Sequence, residues 1–462
     1  MASAPPARSS SEIQLAKCSE DLFQYVLDKH YTHKISELMD QHNEINIKLK
    51  AIADVQDVDI EPHLVQTDRV ANLGKFIEWT ESCGITMDKF KIKTIDNSYF
   101  ALEATQDIEA DDLIAVIPGS DIFSSLELSR NPAYEKVFNS NRLLRGMENV
   151  RLAFLLCVEY LKPDSKWKPY FDVLPKSNTT PVSYSPSELA LLKGSYMYSD
   201  ALFTYLNHAR QFAYILNQIT NHEDNDIKHL GVSSKHFTFN LYLWSVNLVS
   251  TRVNFIPSPG ADMSLAPIFI PSLIPALDFA NHASKANTKF VFDHQEYISE
   301  IYARQNIKKG EELTITYGNR SNYLLMLCNG FCDEDNTEMD SFKFTLGLPP
   351  PNQANQWKHA VVDPRMVFVS SREIILPVSL LEYTRVYIAK TKEEYSPDSD
   401  IKKVYEFLKA RFSLLKTVLQ RTRDSLLQKD NITANERAIR TYLKSEIRML
   451  ESTIMETEKF LA

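Results

Sequence analysis

A chain of 462 residues, 44% of them hydrophobic, is long enough for two or three domains and can bury a substantial core. A formal net charge of −9 argues against nucleic acid as the main partner, because duplex affinity comes largely from Lys and Arg neutralising phosphates. A basic peptide remains an admissible substrate. Five cysteines (Cys18, Cys83, Cys157, Cys328, Cys332) show no disulfide or zinc framework, which suits a reducing compartment. Cys328 and Cys332 have no His or Cys set beside them to complete four ligands, so no metal is expected and the pair reads as small buried thiols. The most apolar run, Ile268 to Ala280, is interrupted by Pro271 and Pro275 and falls short of the ~20 residues that span a bilayer. With 11 glycines and no Gly-x-Gly-x-x-Gly or P-loop pattern, nucleotide hydrolysis is unsupported.

Residues 1–11 are rich in Ala, Pro and Ser and read as a disordered leader, and 12–68 as a charged helical extension. Phe76 to Ile85 follows, with Trp79 on an apolar face. Lys91 to Pro118 reads as short strands, Phe100–Ala104 and Leu113–Ile117 among them. From about residue 128 to 248 the pattern is helical. Ser185-Pro186-Ser-Glu188 is a capping box with Pro at the first helical position. Strands resume from Phe269 to Tyr317. In the last of them Leu313, Ile315 and Tyr317 share one face at period two, so the Tyr317 hydroxyl is expected in a partly dry place. A phenol so held can orient a nucleophile or take part in proton transfer. The tail from about Asp363 is strongly helical. Val404, Leu408, Phe412, Leu415 and Leu419 form one apolar stripe, and Ile439, Leu443, Ile447, Leu450 and Ile454 another. Thr433-Ala-Asn-Glu436 caps the second of these helices.

The chemistry is concentrated in Asp278-Phe-Ala-Asn281-His282 and, after a gap, Gly310-Glu-Glu-Leu-Thr-Ile-Thr-Tyr317-Gly318. An Asn-His pair can fix the polar edges of a bound cofactor, and each half alone is a weak signal. Together, in this order, they resemble a SET-domain methyltransferase. Tyr317-Gly-Asn-Arg320-Ser-Asn322 and Asn329-Gly330-Phe331 are similar to the branch of that family acting on the Rubisco large subunit and on a histidine of actin. Thr251-Arg252-Val-Asn254-Phe-Ile-Pro257 leans toward the actin-histidine members. The resemblance covers roughly Arg69 to Leu346. It implies an α+β fold, with a β-rich SET domain at 69–345, a helical insert at about 128–248, and an all-helical C-terminal substrate-binding domain at 346–462. The Cys-rich zinc segment common in histone-lysine members is missing here.

The resemblance implies S-adenosyl-L-methionine as cofactor and Tyr317 as a catalytic residue. Asn281 and His282 match the cofactor-contacting pair, led by Asp278; the bland alternative is a hydrogen-bonded core turn. Arg252 matches an arginine at the cofactor carboxylate. Arg69 matches another cofactor-binding arginine, or is a plain surface charge. Asn329, Gly330 and Phe331 match a segment packing on the adenosyl group, with Phe331 equally suited to the core. Ser98, Tyr99 and Phe100 occupy the first cofactor loop, where the family usually has a glycine, so the loop is shaped differently or binds more weakly. Leu277 stands where the actin-histidine enzymes have a tryptophan in the acceptor pocket, and a few extra residues lie between Asn254 and Asp278.

Acceptor choice turns on a lone pair. A lysine with reference pKa about 10.4 needs roughly 4.6 kcal/mol to deprotonate at pH 7, whereas an imidazole near about 6.5 is already mainly neutral. Asn254 can bond one ring nitrogen and leave the other aimed at the methyl, a catalytic and substrate-binding role; it is otherwise a turn residue. Arg320 is expected near the flanking peptide. The resemblance therefore implies methylation of a histidine in actin; a monomeric, cytoplasmic enzyme is expected, with entry to the nucleus left open, and charge and hydropathy leave nucleic acid and membrane out. Two alternatives stay open, a protein-lysine methyltransferase acting on a histone or other protein, and a non-catalytic SET-fold binding module.

Overall fold

Alternation builds the first sheet. In β1 (Phe90–Thr94) Phe90 and Ile92 are buried and Lys91 and Lys93 face water, so one side of the strand can pack. β2 (Phe100–Ala104) pairs antiparallel with it, Ile92 opposite Leu102. Next along the chain come β3 (Leu113–Pro118), β4 (Phe123–Ser124), β5 (Asn254–Pro257), β6 (Phe269–Leu273), β7 (Asn281–His282), β8 (Thr288–Asp293), β9 (Ile298–Ala303) and β10 (Glu312–Ile315). They form three sheets, ordered β1-β2-β10-β7, β3-β9-β8 and β4-β6-β5.

The computed structural model describes residues 8–29, 32, 34–57, 68–94, 99–222, 226–258, 268–395 and 401–462. It divides into two compact units, the first drawn from 1–31, 40–178 and 206–317, the second from 32–39, 179–205 and 318–462.

In the first unit, helices separate the two β-rich stretches. The helix Glu148–Leu161 is buried over most of its surface, from Leu152 to Val158, and packs on Phe239–Arg252. Cys157 Sγ lies 3.0 Å from Ser245 Oγ across that contact. The helix Arg69–Ser82 packs on Lys168–Val173. Its fully buried Phe76 meets Trp79, Tyr170 and Phe279 at ring separations of 5.7, 6.2 and 5.6 Å. The first helix begins at Ser10, inside the stretch expected to be a disordered leader, because Ser9 and Glu12 close a capping box there. Residues 1–7 of that leader lie outside the described residues.

In the second unit the two predicted stripes are cores of the helices Ile401–Leu427 and Ala434–Leu461. Lys409 pairs with Glu458 and Lys416 with Glu451, so the two helices run in opposite directions. Both capping boxes read from the sequence are present, Ser185 with Glu188 and Thr433 with Glu436. The all-helical expectation for this region needs one correction. β11 (Ser341–Thr345) pairs antiparallel with β12 (Val367–Ser371), and Phe344 and Phe368 pack on one face. The boundary expected after residue 345 is also displaced. The helix Asn322–Asn329 packs on Ala434–Leu461, and β11 needs β12 as its partner, so 318–345 belongs to the second unit.

Candidate functional site

The two-residue strand β7 runs parallel to β10, Thr314 beside Asn281 and Ile315 beside His282. The chain reaches it through buried Ala276, which takes a left-handed φ of 69°, and a short 3-10 turn over Leu277–Phe279. A non-glycine residue in that region is costly and persists only where packing over-determines it. Leu277 is fully buried in this turn.

His282 and Tyr317 are pinned to each other. The Tyr317 backbone N–H donates to His282 Nδ1 at 3.1 Å, and the two rings lie 5.2 Å apart. The Tyr317 hydroxyl donates to the Ala280 carbonyl at 3.0 Å. Burial pushes this phenol up to about 12, Arg252 opposing the shift and Asp278 adding to it. Tyr317 therefore keeps its proton at neutral pH and acts as a donor. It sits two residues past the end of β10, as the continuation of the buried face of Leu313 and Ile315.

Asn281 Nδ2 reaches the Glu312 carboxylate at 2.8 Å, the Tyr99 hydroxyl at 2.9 Å and the Phe100 carbonyl at 3.2 Å. Phe100 is buried and lies 4.0 Å beneath the Arg69 guanidinium. Arg69 itself is 4% exposed and donates through Nε to the Val173 carbonyl at 2.7 Å. The surface-charge reading of Arg69 is thereby removed. Ser98 lies outside the described residues.

Arg252 ends the helix Phe239–Arg252, where the helix dipole favours a cation. It donates to the Asp278 carbonyl at 2.7 Å and lies 3.4 Å from the Asp278 carboxylate. Tyr170 donates to the same carboxylate at 2.5 Å. Burial raises the Asp278 acid, and Arg252 and Tyr170 hold it back. The second oxygen, Oδ1, is buried without a hydrogen-bond partner among the described residues. Asn254 opens β5, and its Nδ2 donates to the Arg252 carbonyl at 3.2 Å. The atom facing a carbonyl must be the amide nitrogen, so Oδ1 of Asn254 is fixed as an acceptor on the other side.

Direct contacts thus bring Arg69, Tyr99, Phe100, Arg252, Asn254, Asp278, Asn281, His282 and Tyr317 into one connected region of the first unit. Asn329, Gly330, Phe331 and Arg320 fall in the second unit. There Arg320 donates to Asn329 Oδ1 at 2.7 Å. Gly330 caps its helix at φ 78°, and a Cβ would stand 2.5 Å from the Thr179 carbonyl oxygen. Phe331 is half-buried. The sequence reading missed Tyr170 and Glu312. Tyr170 sits in an aromatic-rich stretch with nothing to mark it, and Glu312 stands in the sequence as one polar position of a strand. Cys328 and Cys332 are half-buried rather than fully buried. Among the described residues no group of three His, Cys, Asp or Glu is placed to hold a metal ion, and no helix is long and apolar enough to cross a membrane.

Residues 100–318 match the SET domain family model. An actin-histidine N-methyltransferase of Danio rerio is 30% identical over 410 residues, covering 83% of this chain and 66% of that protein. One from Gallus gallus is 29% identical over 414 residues, covering 83% of this chain and 67% of that protein. The chain spans about two thirds of the length of these relatives. Among solved structures, Rubisco LSMT bound to AdoMet is similar with a TM-score of 0.57 at 19% identity, covering 84% of this chain and 92% of that one. The SET domain of LSMT bound to lysine and AdoHcy gives a TM-score of 0.58 at 17% identity, covering 84% and 91%.

Proposed function

Since the chain belongs to the SET-domain family, we propose that it is an S-adenosylmethionine-dependent protein methyltransferase whose acceptor is a ring nitrogen of a histidine in actin. The observation that carries this reading is the pinning of Tyr317 to His282 and Ala280, inside the matched region.

The chain's own residues suit the cofactor. Its carboxylate calls for a cation, which Arg252 or buried Arg69 offers, and its ammonium calls for an acceptor, which the unpartnered Asp278 Oδ1 offers. Asn281 and His282 present polar edges for the adenosyl group, and Phe100 supplies an apolar surface. When bound, S-adenosylmethionine supplies the activated methyl. The protein must then hold the acceptor nitrogen in line with the breaking bond, so positioning provides much of the rate. Asn254 Oδ1 accepts the N–H of a neutral imidazole, leaving the other ring nitrogen with its lone pair directed at the methyl. Tyr317, protonated at neutral pH, orients groups through its ring and hydroxyl and does not serve as a base. The reading includes a monomer working in the cytoplasm, with a nuclear fraction, which size-exclusion chromatography and cell fractionation test.

The deciding experiment is incubation with labelled cofactor and unmodified actin, followed by peptide mapping. Label on a histidine is the expected result. Turnover should rise through about pH 6 to 7 and level off, as a neutral imidazole requires, whereas a lysine acceptor would keep gaining toward about pH 9. Tyr317→Phe should lower methyl transfer strongly and leave cofactor affinity nearly unchanged. Methyl found only on lysine would give the acceptor role to the alternative. Replacing Asn254 by a bulky apolar residue should shift preference from histidine toward lysine.

A further inference from the structure

Asn281 has more acceptors than protons. Its Nδ2 carries two hydrogens, yet three oxygens lie within hydrogen-bonding distance: Glu312 Oε1 at 2.8 Å, Tyr99 Oη at 2.9 Å and the Phe100 carbonyl at 3.2 Å. The three are not equal. The Glu312 carboxylate is charged, and a charge-assisted bond is roughly twice as strong as a neutral one. The Phe100 carbonyl is backbone, at the start of β2, and its residue is anchored under Arg69. Tyr99 is neutral and 40% exposed, so its hydroxyl is the partner that water can replace at least cost.

Phe100, the first residue of β2, lies against Arg69, and Tyr99, just before the strand, meets Asn281. The two residues therefore tie the same short stretch to Arg69 and to Asn281. Glu312 acts electrostatically on both Tyr99 and Tyr317, and Tyr99 on Tyr317, so the Tyr99 hydroxyl stands close to the reacting region as well as to Asn281.

From this we propose that the Tyr99 hydroxyl competes with the cofactor for the Asn281 amide and so sets cofactor affinity, which makes Tyr99 a positioning residue rather than a contact. The inference rests on the cofactor reading given above. It runs opposite to the ordinary expectation, because deleting the hydroxyl should tighten binding. The Asn281 amide would be left with two acceptors for its two protons, so an incoming ligand group would meet one competitor fewer.

The test is calorimetric titration of the full chain with S-adenosylmethionine, comparing the unaltered protein with Tyr99→Phe, Asn281→Ala and the double variant. Tyr99→Phe keeps the ring, so the thermal midpoint of the ligand-free protein serves as the folding control. The expected result is a Kd about three- to tenfold lower in Tyr99→Phe, on the scale of one neutral hydrogen bond. That gain should vanish in the Asn281→Ala background, where no amide is left to compete for. Equal or weaker binding in Tyr99→Phe would overturn the proposal while leaving the cofactor reading intact. A gain that persists without Asn281 would overturn it too. Failure of the unaltered chain to bind would remove both.

Discussion

Asp278 in the first unit and Glu446 in the second are both buried acids, and their surroundings could hardly differ more. Asp278 faces the Arg252 guanidinium and the Tyr170 hydroxyl. Glu446, on the helix Ala434–Leu461, has Ser195 and Tyr442 beside it and no ion pair, and its Oε2 is without a hydrogen-bond partner among the described residues. Burial lifts Glu446 to about 7, so it is stored as a neutral acid over much of the acid range. Burial also raises Asp278, but Arg252 and the Tyr170 hydroxyl oppose the shift, and the pair stands within electrostatic reach of Tyr317. A core tolerates an acid by letting it take up a proton, whereas a site that must recognise ions sets a counter-charge beside it.

The largest effect should come from breaking the pair. Arg252→Met takes from the buried Asp278 carboxylate the guanidinium beside it and leaves Arg69 to act on it electrostatically, a loss of about 3–5 kcal/mol in urea unfolding, together with at least about tenfold weaker cofactor binding. A loss below about 1 kcal/mol would mean that Asp278 is neutral in the native protein, and the contrast with Glu446 would collapse.

Next comes Glu446→Gln, with an effect that depends on pH. A folded-state acid raised from 4.5 to about 7 contributes its full stability below pH 4.5, and loses it as pH rises to about 7. Above that the curve is level. Glu446→Gln should therefore stabilise the protein by about 3 kcal/mol at pH 8 and change little at pH 4. An equal effect at both pH values would show that the acid is not titrating.

The smallest effect belongs to Tyr170→Phe. It removes one donor from Asp278 and keeps the ring packed on Phe76, so about 1–3 kcal/mol should be lost. It should also raise the proton affinity of Asp278 further, since the lost hydrogen bond favoured the charged form. Infrared detection of the carboxylic acid band would check this.

Side-chain periodicity carried most of the architecture. The stripe from Val404 to Leu419 and the alternation at Leu313, Ile315 and Tyr317 can be read because each is written within one element. Asp278, Asn281 and His282 could be singled out from the sequence through a resemblance carried on one short segment, which the structure places beside Tyr317 and Arg252. What escaped the sequence depends on distance along the chain. Tyr170 meets Asp278 across 108 residues, and Asn281 meets Glu312 across 31. Arg69 could be read as a cofactor-binding arginine or as a surface charge, and only its packing beside Val173 and Phe100 removes the second reading. β12 was absorbed into the helical tail because Val367–Ser371 is short, and it becomes a strand only through its antiparallel partner β11.

The contact between the Tyr317 amide and His282 has a consequence of its own. An amide N–H can only donate, so Nδ1 must present its lone pair, and the imidazole proton sits on Nε2. Protonating that ring would set one N–H against another across 3.1 Å and release the segment that carries the Tyr317 ring. The amide thus selects one tautomer of that ring, and the ring in turn holds the segment that carries Tyr317.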